Sequence, residues 1–68
     1  SEANLFYVIK SLSKNKYAIQ WDDGSYKFGS FEKAIKWSNY YDAMDDLDGY
    51  ENIGDLIVVG PCEEGEEP

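Results

Sequence analysis

Carboxylates are the most numerous chemically active side chains in this chain. Six of them fall in one stretch of its second half: Asp42, Asp45, Asp46, Asp48, Glu51 and Asp55. Clustered carboxylates can bind a divalent cation, or can act as a general acid and a general base when their pKa values differ. On an open surface they instead form an acidic patch that attracts basic partners.

The spacing of these carboxylates argues against a dedicated calcium site. The run from Asp46 to Gly49 resembles the middle of an EF-hand loop, and Asp55 takes its twelfth position. However, the first ligand position falls on Met44, and the twelfth position lacks the bidentate glutamate that completes such loops. We therefore expect neither a bound metal nor another cofactor.

The composition also argues against an enzyme. The chain has no histidine and no arginine, so it lacks the usual general base at neutral pH and the bidentate clamp for phosphate. Its single cysteine, Cys62, follows Pro61 in an acidic environment, which disfavours a reactive thiolate. We predict that Cys62 is an exposed bystander and that the protein is not catalytic.

The net charge of -8 over 68 residues is an average of two unlike halves. All six lysines precede Trp37 and share that half with four acids, which leaves it at +2. From Trp37 onward there are ten acids and no base, which gives -10. A lone cysteine and the absence of an apolar run near the ~20 residues of a membrane span favour a cytoplasmic location.

The first part of the chain has the pattern of a three-stranded meander. Residues 5–12 and 17–21 are rich in aromatic and β-branched types, which favour strands. The pair Asp23-Gly24 is typical of a two-residue hairpin turn, and it would place Trp21 opposite Tyr26. Residues 26–28 then form the third strand.

The second part has the pattern of one main helix and one strand. Ser38 and Asn39 are both suitable N-caps, and if Asn39 is the cap, Asp42 can return a capping-box hydrogen bond. We predict a break near Trp37. The helical spacing gives a buried stripe, Tyr40, Ala43, Met44 and Leu47. Residues 56–59 have the apolar character of a central strand that ends at Gly60-Pro61.

These elements predict an α+β fold: an antiparallel sheet, made of the meander and a C-terminal strand, with one main helix packed on it. We assign residues 1–61 to this single domain and residues 62–68 to an acidic, disordered tail. Whether residues 30–48 form one helix or two stays open, although we prefer two segments.

The helical aspartates occupy positions that do not favour folding. Asp45, Asp46 and Asp48 lie towards the helix C-terminus, where the macrodipole favours cations, and the 42/45 and 42/46 pairs repel each other. We infer that something besides folding maintains these carboxylates. Tyr41 and Tyr50 border them and are candidate anchors of an interface, because tyrosine is enriched among interface hot spots.

Several short segments carry a resemblance to a known group of proteins. They are the opening Tyr7-Val8-Ile9-Lys10, the step Glu32-Lys33-Ala34, the pair Trp37-Ser38 and the closing Ile57-Val58-Val59. This order resembles the small accessory proteins encoded by phages and prophages of Gram-positive bacteria. In charge alone, the chain is similar to phage anti-defence inhibitors, including anti-CRISPR proteins, that imitate nucleic acid.

Three functions are compatible with these patterns. The first is a non-catalytic inhibitor whose six carboxylates, Tyr41 and Tyr50 occupy a basic groove of a nucleic-acid-handling protein, with no direct contact to nucleic acid or membrane. The second is a structural or regulatory adaptor that binds through sheet aromatics, its acidity serving solubility. The third is a stacking platform for single-stranded nucleic acid, formed by Tyr7, Tyr17, Trp21, Tyr26 and Phe28 with Lys10, Lys16 and Lys27.

Overall fold

A four-stranded antiparallel sheet with one α-helix packed against it forms the fold. The structure, a computed structural model, describes residues 4–50 and 53–68. The strands are β1 (Phe6–Ser11), β2 (Lys16–Asp22), β3 (Ser25–Gly29) and β4 (Leu56–Cys62), in the order β3-β2-β1-β4. The helix α1 spans Tyr40–Asp48, and two short 3-10 helices span Phe31–Lys33 and Ile53–Asp55. The predicted α+β class is confirmed.

The β2-β3 hairpin follows the sequence prediction closely. Asp23 and Gly24 both have positive φ, at 49° and 89°, as a tight turn of the predicted type requires. Trp21 lies opposite Tyr26 in the register, and their rings meet edge to face with centroids 4.8 Å apart. An edge-to-face pair of this kind adds about 0.5–1.5 kcal/mol beyond the burial of its surface.

A short extended segment enters the sheet between β1 and β2. These two strands pair at their ends nearest the connecting turn and then separate. In the gap, the Ile35 N–H donates to the Ala18 carbonyl at 2.9 Å. Trp37 exchanges two backbone hydrogen bonds with Tyr7, at 2.8 and 2.9 Å. We call residues 35–37 the inserted segment. The predicted break near Trp37 is confirmed. The helix is interrupted there because this backbone bonds to β1 and β2 through an isolated bridge and one further hydrogen bond.

Helix α1 begins directly after Asn39, one of the two candidate N-caps. The Asn39 side chain accepts from the backbone N–H of Asp42 at 2.9 Å, and Asp42 in turn accepts from the Asn39 side-chain amide at 3.0 Å. In a capping box the returning bond comes from the backbone N–H of the N-cap residue. Here Asp42 accepts from the side-chain amide of Asn39 instead. None of the helices in residues 4–50 and 53–68 is long and apolar enough to cross a membrane.

The predicted buried stripe of α1 is correct in part. Ala43 and Leu47 are buried and Met44 is half-buried, but Tyr40 is 45% exposed. The reason is its position in the first turn, where its ring contacts the half-buried ring of Tyr7 in β1, with centroids 6.2 Å apart, instead of the core.

The sheet has a hydrophobic cluster on each face. One cluster packs beneath α1 and contains Ile9, Ala18, Tyr26, Leu47 and Leu56. The other packs beneath the first 3-10 helix and contains Phe6, Val8, Tyr17, Phe31, Ala34 and Cys62. Neighbouring side chains of a strand point to opposite faces, so β1 supplies both clusters.

Strand β4 departs from the prediction in two ways. It lies at an edge of the sheet and not in its centre, and it continues through Gly60 and Pro61 to Cys62. The pairing with β1 shifts register here, which is a bulge. A side chain at residue 60 would overlap the ring of Tyr7, so glycine is required for close approach, and proline is tolerated in an edge strand.

Cys62 is buried, so the prediction of an exposed thiol is wrong. Its side chain is 3% exposed because it closes the cluster that contains Phe6 and Tyr17. Strand β4 therefore continues to Cys62, one residue past the predicted boundary at Pro61. The residues that follow also contact the body: Glu64 pairs with Lys36 at 3.1 Å, and Glu67 accepts from the Tyr17 hydroxyl at 3.2 Å.

Burial predicts the reactivity of this thiol. Desolvation raises the pKa of Cys62, so both the thiolate fraction and its accessibility are low in the folded protein. We expect Ellman's reagent to modify native Cys62 at least about 100-fold more slowly than in the urea-unfolded chain. Equal rates in the two states would show that the thiol is exposed.

Candidate functional site

The outward face of α1 carries three exposed side chains in one row. Tyr41, Asp45 and Asp48 are separated by four and three residues, so they stand above one another on the helix. This row lies opposite the buried Ala43 and Leu47. The Tyr41 side chain is 77% exposed, the highest value among the large apolar residues of the described chain. We call these three residues the outer row.

Two other helical aspartates, Asp42 and Asp46, lie on the flank of α1 and have partners inside the protein. Asp42 takes part in the cap with Asn39. The Oδ2 atom of Asp46 accepts from the indole Nε1–H of Trp37 at 2.6 Å, and thus joins α1 to the inserted segment. The helical carboxylates therefore divide into those of the outer row and those of the flank, which also stabilise the fold.

Asp55 lies apart from the helix and organises the β1-β2 turn. Its carboxylate accepts from the Ser11 hydroxyl at 2.5 Å and from the Ser13 backbone N–H and hydroxyl, both at 2.9 Å. The hydrogen bond from Ser11, followed by the two from Ser13, lowers the pKa of Asp55. Ser11 itself is fully buried, so this carboxylate satisfies a buried hydroxyl.

The remaining predicted site residues are Glu51 and Tyr50. Glu51 lies outside the described residues. Tyr50 is half-buried, and its ring packs against Trp21 and Tyr26 with centroids 6.3 and 5.3 Å apart. Its position favours a role in packing over one as an exposed anchor.

The helix has no cation to offset its charge. Its last turn contains no basic residue, although the carbonyl groups at a helix C-terminus favour one. In the part of the chain that the structure describes, no group of three or more acidic or sulfur side chains is arranged to hold a metal ion. The outer row is therefore an open acidic surface with one aromatic ring at its start.

An aromatic cleft that no sequence motif predicts lies beside this helix. Trp21, Tyr26, Ile35, Trp37 and Asp46 line a cavity of about 360 Å³. Burial, and then the charge of Asp46, raise the pKa of the Tyr26 hydroxyl. The pairing of Trp21 with Tyr26 was predictable, but the approach of Trp37 to Asp46 depends on the inserted segment, for which no motif exists.

The aromatic residues proposed as a stacking platform do not form one surface. Tyr17 is buried in the cluster beneath the first 3-10 helix, and Tyr26 is buried in the cluster beneath α1, on the other face of the sheet. Lys10 and Lys14 lie over the rings of Tyr17 and Phe28, at 5.6 and 5.3 Å from the centroids. These contacts stabilise the fold and leave few rings for stacking with bases.

Asp55 predicts a pH dependence of stability. A carboxyl whose folded pKa is lowered stabilises the protein above its unfolded pKa, near 3.8, and that contribution is lost as the pH falls through the folded value. We expect Asp55→Asn to lower the free energy of unfolding at neutral pH and to converge with the native chain in acid. Urea unfolding from about pH 7 to pH 2 measures both curves.

The matched control is Asp23→Asn in the exposed β2-β3 turn, where asparagine accepts the positive φ of 49°. Its pH curve should follow that of the native chain. A difference between the native chain and Asp55→Asn that stays constant down to pH 2 would contradict the assigned role of Asp55.

The two ends of α1 predict opposite effects of the same substitution. Asp48→Lys should raise the free energy of unfolding by about 0.3–1 kcal/mol, because a cation then faces the C-terminal carbonyls. Asp42→Lys should lower the free energy of unfolding by at least about 1 kcal/mol, because it removes the side-chain bond that Asp42 accepts from the Asn39 amide and places a cation at the N-terminus. Urea unfolding followed by circular dichroism measures both, and destabilisation by Asp48→Lys would show that Asp48 has a structural partner.

Comparison with protein-family models, with curated proteins and with solved structures found no match to this chain. The resemblance to phage accessory proteins thus stays a prediction.

Proposed function

We propose that this protein is a non-catalytic inhibitor of a nucleic-acid-handling protein, and that it places the outer row of α1 in a basic groove of that partner. The observation that carries the proposal is the exposure of Tyr41, Asp45 and Asp48 on one helical face without a cation on the helix. Asp48 stands where folding would favour lysine.

The charge density of this surface supports a partner that normally holds nucleic acid. Residues 42–48 rise about 9 Å along the helix axis and carry four carboxylates, or about one charge per 2–3 Å. Duplex DNA carries about one charge per 1.7 Å of its axis. A groove built to attract phosphates therefore also attracts this helix, and association through such a field is rapid and sensitive to salt.

The predicted carboxylates would contribute unequally to the proposed interaction. Asp45 and Asp48 project from the outer row, while the carboxylates of Asp42 and Asp46 add charge from the flank. Asp55 is held by Ser11 and Ser13 on another part of the molecule, so it adds less to this surface. Glu51 follows the helix in sequence and keeps its predicted role in the proposal.

Tyr41 supplies the apolar contact that a charged surface lacks. Its ring is mostly exposed and is steadied by the Tyr40 ring, which it meets edge to face at a centroid distance of 5.8 Å. Tyrosine side chains that lose little conformational freedom on binding are frequent hot spots of interfaces. We expect Tyr41 to enter a pocket beside the basic groove.

The charge imitation and the sequence resemblance together suggest the biological setting. We propose that the partner belongs to a defence system of a bacterial host and that the protein acts in the host cytoplasm as a phage-encoded anti-defence factor, of which anti-CRISPR proteins are one class. An adaptor that binds through exposed side chains of the sheet is the second candidate, which the exposure of Trp21 and Ile57, at 47% and 39%, favours.

The two candidates predict different responses to charge reversal and to salt. The experiment captures partners from a bacterial host lysate on the immobilised protein, identifies the captured protein and measures its affinity at about 0.1 and 0.5 M NaCl. We expect the double variant Asp45→Lys with Asp48→Lys to lose at least about tenfold in affinity, and duplex DNA to compete for the partner.

The matched control is Glu32→Lys with Glu66→Lys, which changes the net charge equally. Both glutamates are exposed, and Glu32 lies on the first 3-10 helix, which packs on the other face of the sheet. This control should lose less than about threefold. Equal losses in the two variants, or an affinity that high salt leaves unchanged, would reject the acidic-surface mechanism and favour the adaptor.

A further inference from the structure

The cleft beside α1 combines aromatic rings with a single charge. Trp21 and Tyr26 come from the β2-β3 hairpin, Trp37 comes from the inserted segment, and Asp46 comes from the flank of α1. The cleft is bounded by the β2-β3 hairpin, the inserted segment and α1, and its volume of about 360 Å³ is enough for one long side chain. The Trp21 side chain is 47% exposed at its rim.

Asp46, one of the lining residues, uses one of its two carboxylate oxygens in a hydrogen bond within the protein. Its Oδ2 atom accepts from Trp37 at 2.6 Å, while Oδ1 has no hydrogen-bond donor among the described residues. The residues lining the cleft include no lysine, so within the described chain no cation neutralises the carboxylate there. The cleft is thus both aromatic and negative.

We propose that this cleft binds a guanidinium group, and that the group is an arginine side chain of the basic partner. This inference rests on the proposed function for the identity of the partner. The guanidinium site itself depends only on the cleft, and it can be tested with a small molecule.

The chemistry of the cleft favours arginine over other occupants. A cation near tryptophan and tyrosine rings is attracted by their negative faces, and arginine makes this contact more often than lysine. The guanidinium plane is weakly hydrated and can stack on a ring while one N–H group donates to a carboxylate. A neutral apolar side chain would fill the same space but would desolvate the Asp46 carboxylate and offer no donor to its Oδ1 atom.

The position of the cleft fits the outer row. Asp46 follows Asp45 in α1 and points about 100° further round the helix axis, so the cleft opens on the flank beside the outer row. A partner groove that encloses the helix would reach both, and its arginine would enter the cleft from the flank. A groove that holds nucleic acid is rich in arginine, because its fork matches phosphate oxygens. The cleft would therefore fix one arginine of the groove while the outer row attracts the rest.

The test uses three blocked amino acids as probes: the N-acetyl amides of arginine, citrulline and lysine. The two indole N–H resonances of the protein, from Trp21 and Trp37, report binding in a ¹H-¹⁵N titration. We expect the arginine probe to shift the Trp37 resonance with a dissociation constant on the order of 1–10 mM. The citrulline probe has nearly the same shape without the charge, and it should bind at least about fivefold more weakly.

Two variants and one control assign the site. Asp46→Asn keeps an acceptor for the Trp37 indole but removes the charge, and Trp21→Leu keeps apolar surface at the rim but removes the ring. Each should weaken binding of the arginine probe by about threefold or more. Asp45→Asn removes an equal charge from the neighbouring position on the outer row, and it should leave binding nearly unchanged. The folded state of every variant is checked by the dispersion of its amide spectrum.

The possible results distinguish failure of the guanidinium site from failure of the acidic-surface mechanism. Equal binding of the arginine and citrulline probes, equal or tighter binding of the lysine probe, or no saturable shift would overturn the guanidinium site. Loss of partner capture by the outer-row variant with intact arginine binding would support the outer row independently of the cleft. Intact partner capture by that variant, together with selective arginine binding, would reject the acidic-surface mechanism and leave the guanidinium site standing.

Discussion

Two backbone hydrogen bonds between Trp37 and Tyr7 fix the inserted segment in the gap between β1 and β2. Without this segment the separated parts of both strands would leave polar backbone groups unpaired in the interior, which is costly. The same placement brings the Trp37 indole to Asp46 and so sets the position of α1 on the sheet. The helix, its exposed outer row and the aromatic cleft all depend on where this one short stretch of backbone pairs.

The acidity of α1 has more than one physical origin. Asp42 closes the cap of the helix, and Asp46 joins the helix to Trp37, so these carboxylates contribute to folding. Asp45 and Asp48 have no such partner in the described chain and oppose the helix dipole. Asp45 and Asp48 are therefore the aspartates that folding explains least. They form the part of the outer row where the proposed partner would bind.

The sequence predicted much of the fold because its signals were local. The turn at Asp23-Gly24, the cap at Asn39 and the break near Trp37 each depend on a few neighbouring residues, and each is found in the structure. The edge position of β4 and the burial of Cys62 were missed, because both follow from pairing with β1 across nearly the whole chain. Local apolar character cannot distinguish a central strand from an edge strand whose side chains pack on both faces.

The same distinction applies to the site. Helical spacing placed Tyr41, Asp45 and Asp48 on a helix, but it could not show that Asp46 and Asp55 are held by partners far away in sequence. The cleft joins residues from a hairpin, the inserted segment and the helix, so its existence is a property of the assembled fold. A tryptophan and an aspartate nine residues apart do not predict a hydrogen bond between them until the path of the backbone that connects them is known.

The pairing of β1 with β4 also determines when during synthesis this protein can acquire its structure. Val8 and Ile9 are fully buried on opposite faces of β1, and one edge of that strand is covered by residues from the last described strand. A nascent chain that has not yet reached Cys62 carries an uncovered apolar strand and must keep it from pairing with other chains. Folding therefore waits until β4 has left the ribosome. The loop closed by the pairing of β1 with β4 contains most of the residues of the sheet and the helix.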